Sequence, residues 1–329
     1  MALPTKNLPF EYTQRWAEVG GLLAPDATAE TINLLNKRDK DLEDYLANLP
    51  AGGAGRPYAT YVVAAPNSQH PDAANADFQG GYAAIQAAVD ALSSTIGGMV
   101  LLLDGEFLYP SGAFVEFINK SNVTIAGMGA STQLVGDAGS GPAIIADTCY
   151  RPSIRDLAIG GTISDGIQMT SCESPMISGC WIGDSIGDIT NYGILLTAND
   201  YAIITGNKLY GCDVGIYTEN DNHYLIESNA LEEIVTAGMD MGDSTGSNSA
   251  INANIIHGPT DSIILRTGLD DVSITSNLLH GSTNGIAVGT GCDRILAANN
   301  TMRSVTNYFT GAGTANKGAG NYLDGTWTP

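Results

Sequence analysis

The phrase Gly193-Ile194-Leu195-Leu196, followed by Ile204-Thr205-Gly206-Asn207-Lys208-Leu209, decides how this chain folds. It returns as Gly215-Ile216-Tyr217-Thr218 with Ile226-Glu227-Ser228-Asn229-Ala230-Leu231. It returns again as Gly238-Met239-Asp240-Met241 with Ile251-Asn252-Ala253-Asn254-Ile255-Ile256. Ser262-Ile263-Ile264-Leu265 then pairs with Ile274-Thr275-Ser276-Asn277-Leu278-Leu279, and Gly285-Ile286-Ala287-Val288 with Asn300-Thr301-Met302. A degenerate last copy reads Tyr308-Phe309-Thr310 and Asn321-Tyr322-Leu323. The openings fall at 166, 193, 215, 238, 262, 285 and 308, in steps of 27, 22, 23, 24, 23 and 23.

A sustained period in the low twenties is the mark of a solenoid. Each short run alternates apolar and polar with period two, so it is a strand and not a helical turn. One coil then holds about three strands joined by tight turns, and successive coils stack at the ordinary inter-strand spacing of about 4.8 Å. Leucine-rich repeats share the length range, but their Leu-x-x-Leu-x-Leu frame is missing here. The fold expected is an all-β solenoid, a parallel β-helix.

The Asn column falls at 207, 229, 254, 277, 300 and 321. A side-chain amide carries two donors and an acceptor oxygen, so identical amides stacked at strand spacing can bond one to the next and to turn backbone. The column is read as an inward ladder that satisfies turn groups otherwise buried unpaired. Cys180 occupies the equivalent place one coil earlier. The five cysteines, Cys149, Cys172, Cys180, Cys212 and Cys292, are odd in number and form no Cys-x-x-Cys pair. They read as small buried hydrophobes, not as a disulfide framework or a metal site.

Composition fits this frame. Hydrophobic residues make up 43% of the 329, charged residues only 15%, and there are 40 glycines for the turns. A net charge of −21 leaves no basic patch to neutralise phosphates, which argues against nucleic acid. It equally argues against an anionic bilayer. No apolar run reaches membrane-spanning length, so no membrane insertion is expected. Met1 to Trp16 lack a charged-then-apolar leader, so synthesis in a cytoplasm without a signal peptide is expected.

Residues 1–50 read as an arm and a helix. Over 27–49, Ile32, Leu35, Leu42, Leu46 and Leu49 fall on the a and d positions of a heptad, with Asp39 at the remaining a. About three heptads suit a homo-oligomeric bundle, and an amphipathic helix folded on its own domain is the alternative. Residues 51–57 are a Gly/Pro linker, and 58–329 form the β-helix domain. A second helix is expected over 80–96, with Tyr82, Ile85, Val89 and Leu92 on one face. A solenoid's first coil exposes core and an unpaired strand edge, and this helix would cap it.

Ile85-Gln86-Ala87-Ala88-Val89-Asp90-Ala91, then Gly97-Gly98-x-Val100-x-Leu102-x-x-Gly105-x-Phe107, resembles the opening of the pectate-lyase-like right-handed β-helix family. Val123-Thr124-Ile125-Ala126-Gly127-Met128-Gly129 resembles that family's next coil, and the resemblance covers roughly residues 77–323. Asn33-Leu34-Leu35-Asn36-Lys37-Arg38-Asp39-Lys40-Asp41-Leu42-Glu43-Asp44-Tyr45-Leu46 is similar to a segment near the start of virion proteins of tailed bacteriophages. A helical N-terminus, a Gly-rich linker and such a β-helix resembles phage tailspikes and minor tail proteins. The resemblance implies a homotrimeric tail component of the virion, joined to other tail proteins through its N-terminal segment and meeting bacterial surface polysaccharide. The chain departs from large tailspikes by ending near its last coil, which would leave assembly to the N-terminal helix and the shaft.

Period two assigns the faces. In the first strand Ile194, Ile216, Met239, Ile263 and Ile286 point in, and Leu195, Tyr217, Asp240, Ile264, Ala287 and Phe309 point out. In the second strand Ile203, Leu225, Ala250, Ser273 and Leu296 point out. Two such apolar rows suggest packing of chain on chain, with Leu195, Tyr217, Ile264 and Phe309 in an oligomer interface; covering loops are the alternative. The third strand presents Tyr210, Glu232, His257, His280 and Arg303 on successive coils. A carboxylate beside two imidazoles suits acid–base work, with Glu232, His257 and His280 as weak catalytic candidates, and a polar column with an aromatic suits a sugar. A solvated polar face is the bland alternative. Residues 182–190 form the one long coil, and with Trp181 they are a second candidate for glycan contact. No cofactor is expected. Glu219-Asn220-Asp221-Asn222-His223 and Asp240-Met241-Gly242-Asp243 read as acidic turns, where calcium is the conceivable ion but no ligand spacing supports it.

Two function classes follow. One is a non-enzymatic virion protein that binds host glycan. The other is a polysaccharide depolymerase, as a hydrolase with two carboxylates or a lyase with a basic residue. For the hydrolase, Glu232 with Glu227 or Asp240 with Asp243 are nominal pairs. For the lyase, Arg266, Arg294 and Arg303 are scattered over the later coils without a cluster.

Overall fold

The computed structural model describes residues 59–110, 112, 114–183, 189–242, 247–311, 315–317, 320–324 and 326–328. The N-terminal heptad with Ile32, Leu35, Leu42, Leu46 and Leu49, and the 51–57 linker, lie outside the described residues.

Among the described residues the chain winds as a parallel β-helix. One sheet takes nine strands, from Val115–Ile118 through Tyr192–Thr197, Val214–Glu219, Ala237–Met241, Asp261–Leu265 and Asn284–Val288 to Asn307–Thr310. This is the first face, and it counts about nine turns. A larger sheet carries the second and third strands of each coil, such as Ile203–Thr205 and Lys208–Tyr210. The pairing is in register coil on coil: Ile194 on Ile216, Met239, Ile263 and Ile286 on the first face, and Leu209 on Leu231, Ile256, Leu279 and Met302 on the third. All of these are fully buried and form one continuous core.

Small residues open the first strands for a steric reason. A Cβ added at Gly193 or Gly215 would meet the carbonyl oxygen of the glycine one coil on at 2.8 and 2.6 Å. The backbones approach too closely there for a side chain.

The Asn column is the ladder that stacked amides require. Asn207 donates its backbone N–H and its Nδ2 to Asn229 Oδ1 at 2.9 and 3.0 Å. Asn229 does the same to Asn254, Asn254 to Asn277, Asn277 to Asn300 and Asn300 to Asn321. Each Nδ2 also donates to the carbonyl of an inward residue one coil back, Ile204 for Asn229 and Ile226 for Asn254. Cys180 takes the expected place, its N–H donating to Asn207 Oδ1 at 2.9 Å. All five cysteines are buried, as expected of small core residues.

A second inward ladder, not expected, runs one turn earlier in the coil: Cys149, Cys172, Asn199 and Asp221. Cys172 N–H donates to Asn199 Oδ1 at 2.8 Å, and Asn199 Nδ2 donates to Asp221 Oδ1 at 2.9 Å. Asp221 is therefore a rung of the core rather than part of a solvated acidic turn, and burial pushes its carboxyl up to about 7 against three hydrogen bonds that lower it.

The capping helix is shorter than its sequence suggests. It spans Tyr82–Ala91 and buries Ile85, Ala88 and Val89. Leu92 is already extended, and the Ser93 hydroxyl accepts from Ile96 N–H at 3.2 Å, so the Ser-Ser-Thr run bonds to its own backbone instead of continuing the helix. Gly97 follows with φ 83°, and a Cβ there would strike Ser121 O at 2.1 Å. The helix closes the first face directly. Gln86 Nε2 donates to Glu116 O, and Gln86 Oε1 accepts from Glu116 N–H, both at 2.8 Å. One amide side chain supplies both partners that a preceding strand would have offered. At the far end Asn321–Leu323 and Thr326–Thr328 form an antiparallel pair.

One face assignment is overturned. Phe309 lies under Ile286 in register and packs on the core, so it belongs to the inward row and not to an outward interface. Thr310, paired with Ala287, holds the outward place in this last copy.

Candidate functional site

The third face is set by the ladder. In each coil the residue before the Asn, including Ser228, Ala253, Ser276 and Asn299, takes positive φ, and the Asn then turns inward. The chain emerges into a three-residue strand whose middle residue is core and whose first and third residues face out. The third positions align as expected: Tyr210 on Glu232, Glu232 on His257, His257 on His280 and His280 on Arg303. Four steps at strand spacing give a column about 19 Å long.

The imidazoles of His257 and His280 stack with centroids 4.8 Å apart and planes 12° apart. Nδ1 of His280 is buried without a hydrogen-bond partner. The first positions make a parallel column of Trp181, Lys208, Ala230, Ile255, Leu278, Thr301 and Tyr322. Trp181 is 45% exposed, and Lys208 Nζ lies 5.2 Å from its ring centroid. The Arg303 guanidinium lies 6.0 Å from the Tyr322 ring centroid. The face thus carries aromatic platforms with cations over them at both ends and a carboxylate and two imidazoles between. Such a surface offers stacking and hydrogen bonds to a hydroxylated chain laid along the axis. Residues 184–188 of the long coil lie outside the described residues.

The structure does not assemble the nominal carboxylate pairs. Glu232 is the one carboxylate between Tyr210 and Arg303 in its column, and Glu227 belongs to the second face, across the turn at Ser228 and Asn229. Asp240 is no turn residue: it sits in the strand Ala237–Met241, is 4% exposed, and is held by Arg266 through Nε–Oδ1 at 2.7 Å and Nη2–Oδ2 at 2.5 Å. Asp243 lies outside the described residues. Among the described residues no group of three or more His, Cys, Asp or Glu side chains is placed to hold a metal ion.

On the first face Leu195, Tyr217 and Ile264 point out and are half-buried, and Tyr217 leans on Tyr192 with ring centroids 4.9 Å apart. On the second face Ile203, Leu225, Ala250, Ser273 and Leu296 align as one outward row. Sequence reasoning missed a group on the turn before that row: Asp200, Tyr201 and His223. Its signal is available by counting back six residues from Asn207 and Asn229, which reaches Tyr201 and His223 and puts them one above the other.

The chain belongs to the right-handed β-helix family, whose model, described as "Right handed beta helix region", matches residues 121–302. No curated protein matches it. Among solved structures it is similar to ORF18 of Geobacillus virus E2, at 14% identity and a TM-score of 0.51, over 71% of this chain and 57% of that one. It is also similar to full-length tailspike protein 2 of the Escherichia coli O157:H7 bacteriophage CAB120, at 14% identity and a TM-score of 0.50, over 69% of this chain and 36% of that one. An alginate lyase from Paenibacillus sp. str. FPU-7 matches at 13% identity and a TM-score of 0.48, over 77% and 98%. The chain spans little more than half the length of the first of these and about a third of the second. At such identities the likeness is one of fold alone.

Proposed function

We propose that this protein is a structural component of a phage tail, of tailspike or minor tail type, that binds bacterial surface polysaccharide along its third face. The observation that carries this reading is the aligned column Tyr210, Glu232, His257, His280 and Arg303, flanked by Trp181 with Lys208 and by Tyr322. Aromatic faces take sugar rings, and the polar groups between them take hydroxyls, without any group needing to be activated. Two viral proteins with the same fold, Geobacillus virus E2 ORF18 and tailspike protein 2, lend the reading its setting. The virion is its location, and neighbouring tail proteins would meet its N-terminal segment.

The protein acts as a homotrimer in this reading, because the outward rows with Leu195, Tyr217 and Ile264, and with Ile203, Leu225 and Leu296, leave apolar surface for chain-on-chain packing. Binding without cleavage is favoured because the column holds a single carboxylate where hydrolysis needs a pair roughly 5–9.5 Å apart.

The test is incubation of the purified protein with host cell-wall polysaccharide. Retention without new reducing ends or unsaturated uronate absorbance is expected, and the combined change His257→Ala with Arg303→Ala should lower retention about tenfold or more. Release of sugar fragments would replace the binder with a depolymerase. Light-scattering mass of the full chain is expected at three times the monomer, and a monomeric mass would remove the trimer.

A further inference from the structure

We propose a second carbohydrate subsite, on the turn edge between the first and second faces, in which Tyr201 is a platform for one neutral pyranose ring. It does not depend on the third-face column.

The turn before the second strand repeats from coil to coil. Ser174 N–H donates to Asp200 O at 2.7 Å, and Tyr201 N–H to Asn222 O at 3.1 Å, which stacks Ser174, Tyr201 and His223 in one column. Glu173, Asp200 and Asn222 form the column beside it. Tyr201 is 52% exposed. One face of its ring lies on the His223 imidazole, with centroids 4.6 Å apart and planes 15° apart. Asp200 Oδ1 holds His223 Nδ1 at 2.8 Å. The tyrosine is therefore backed by a ring that is itself fixed by a carboxylate, and little side-chain freedom remains to be lost on binding.

One coil back in the column stands Ser174, a small residue, and the ring is left half exposed. Met176 and Ile203, paired in register, border this shelf on the second face. Glu173 and Asp200 border it on the other side, in adjacent coils about 5 Å apart. A pyranose has the matching chemistry: axial C–H groups for the tyrosine face and vicinal hydroxyls that donate to carboxylate oxygens. The two carboxylates disfavour an anionic sugar. A single ring with an open lip is not the multi-walled aromatic cage that quaternary ammonium ligands require.

The probes are methyl β-D-glucopyranoside and methyl β-D-galactopyranoside, offered at about 10 mM to the full chain in saturation-transfer NMR, where isolated sugars bind with millimolar constants. Saturation of the ring protons is expected for at least one glycoside. Tyr201→Ala should reduce it at least fivefold, Tyr201→Phe should keep it, and His223→Ala should fall between. His257→Ala, on the other face, should leave this Tyr201-dependent part unchanged. Saturation left unchanged by Tyr201→Ala, its absence for both glycosides, or displacement of the Tyr201-dependent part by tetramethylammonium would overturn the subsite. Loss of polysaccharide retention in His257→Ala with the Tyr201 signal intact would separate the two readings and sustain this one.

Discussion

The molecule carries two inward ladders, and they are built from different material. The one through Asn207 and Asn321 repeats a single residue over six coils, so each rung up to Asn300 donates to the rung after it through the same amide. The one through Cys149, Cys172, Asn199 and Asp221 changes chemistry at nearly every step. Its lower rungs are thiols that lean on strand carbonyls, Cys149 Sγ on Phe117 O and Cys172 Sγ on Thr170 O. Cys172 is held well above its ordinary value by its hydrogen bond with Cys149 and by burial. Its upper rung is a carboxyl that titrates near neutrality. A uniform ladder is self-satisfying and insensitive to pH. A mixed one places a buried ionisable group at its end.

The largest test of this contrast is Asn254→Ala. It strands the Asn229 N–H and the Ile226 carbonyl in the core, and it should cost about 3–5 kcal/mol in chemical denaturation. Asn199→Ala, whose lower neighbour is a thiol, should cost roughly 1–2 kcal/mol less; equal losses would show that continuity adds nothing.

The next test is pH. The folded Asp221 carboxyl sits at about 7, against 3.8 for the free group, so the folded state binds the extra proton between those values. Stability from this group is full below pH 3.8 and is lost as pH rises through 7. Asp221→Asn should leave stability unchanged at pH 4 and raise it by roughly 2–4 kcal/mol at pH 8, flattening the profile. A variant that melts lower than the parent at pH 8 would mean the ionised carboxylate is welcome there.

The smallest effect is expected at Cys180→Asn. Cys180 Sγ points at Ile154 O, 3.8 Å away, the carbonyl that an amide at this rung would take. Extending the uniform ladder downward should change stability by less than about 1 kcal/mol. A loss of several kcal/mol would show that the thiol is there for its volume.

These contrasts also explain what the sequence disclosed. The Asn ladder was legible because one letter recurs at one spacing, and the register drawn from it put Tyr210, Glu232, His257, His280 and Arg303 in one line without further information. The second ladder was hidden because Cys, Cys, Asn and Asp share no letter, only size and an inward turn. Phe309 follows its opening residue as Ile286 follows Gly285, so the repeat's own count already assigned it inward and its outward placement went against that count. The helix was overrun because apolar spacing alone does not register that Ser93 bonds to its own backbone. Tyr201 and His223 share no letter, so only the count back from Asn207 and Asn229 aligns them.

Gln86 has a consequence for how such a molecule can change its length. Its amide imitates a neighbouring peptide at Glu116. Whole coils of some twenty-three residues can then be gained or deleted between that lid and the closing hairpin, with neither end needing redesign. The height of the column, and with it the reach of whatever it displays, is an independently adjustable trait.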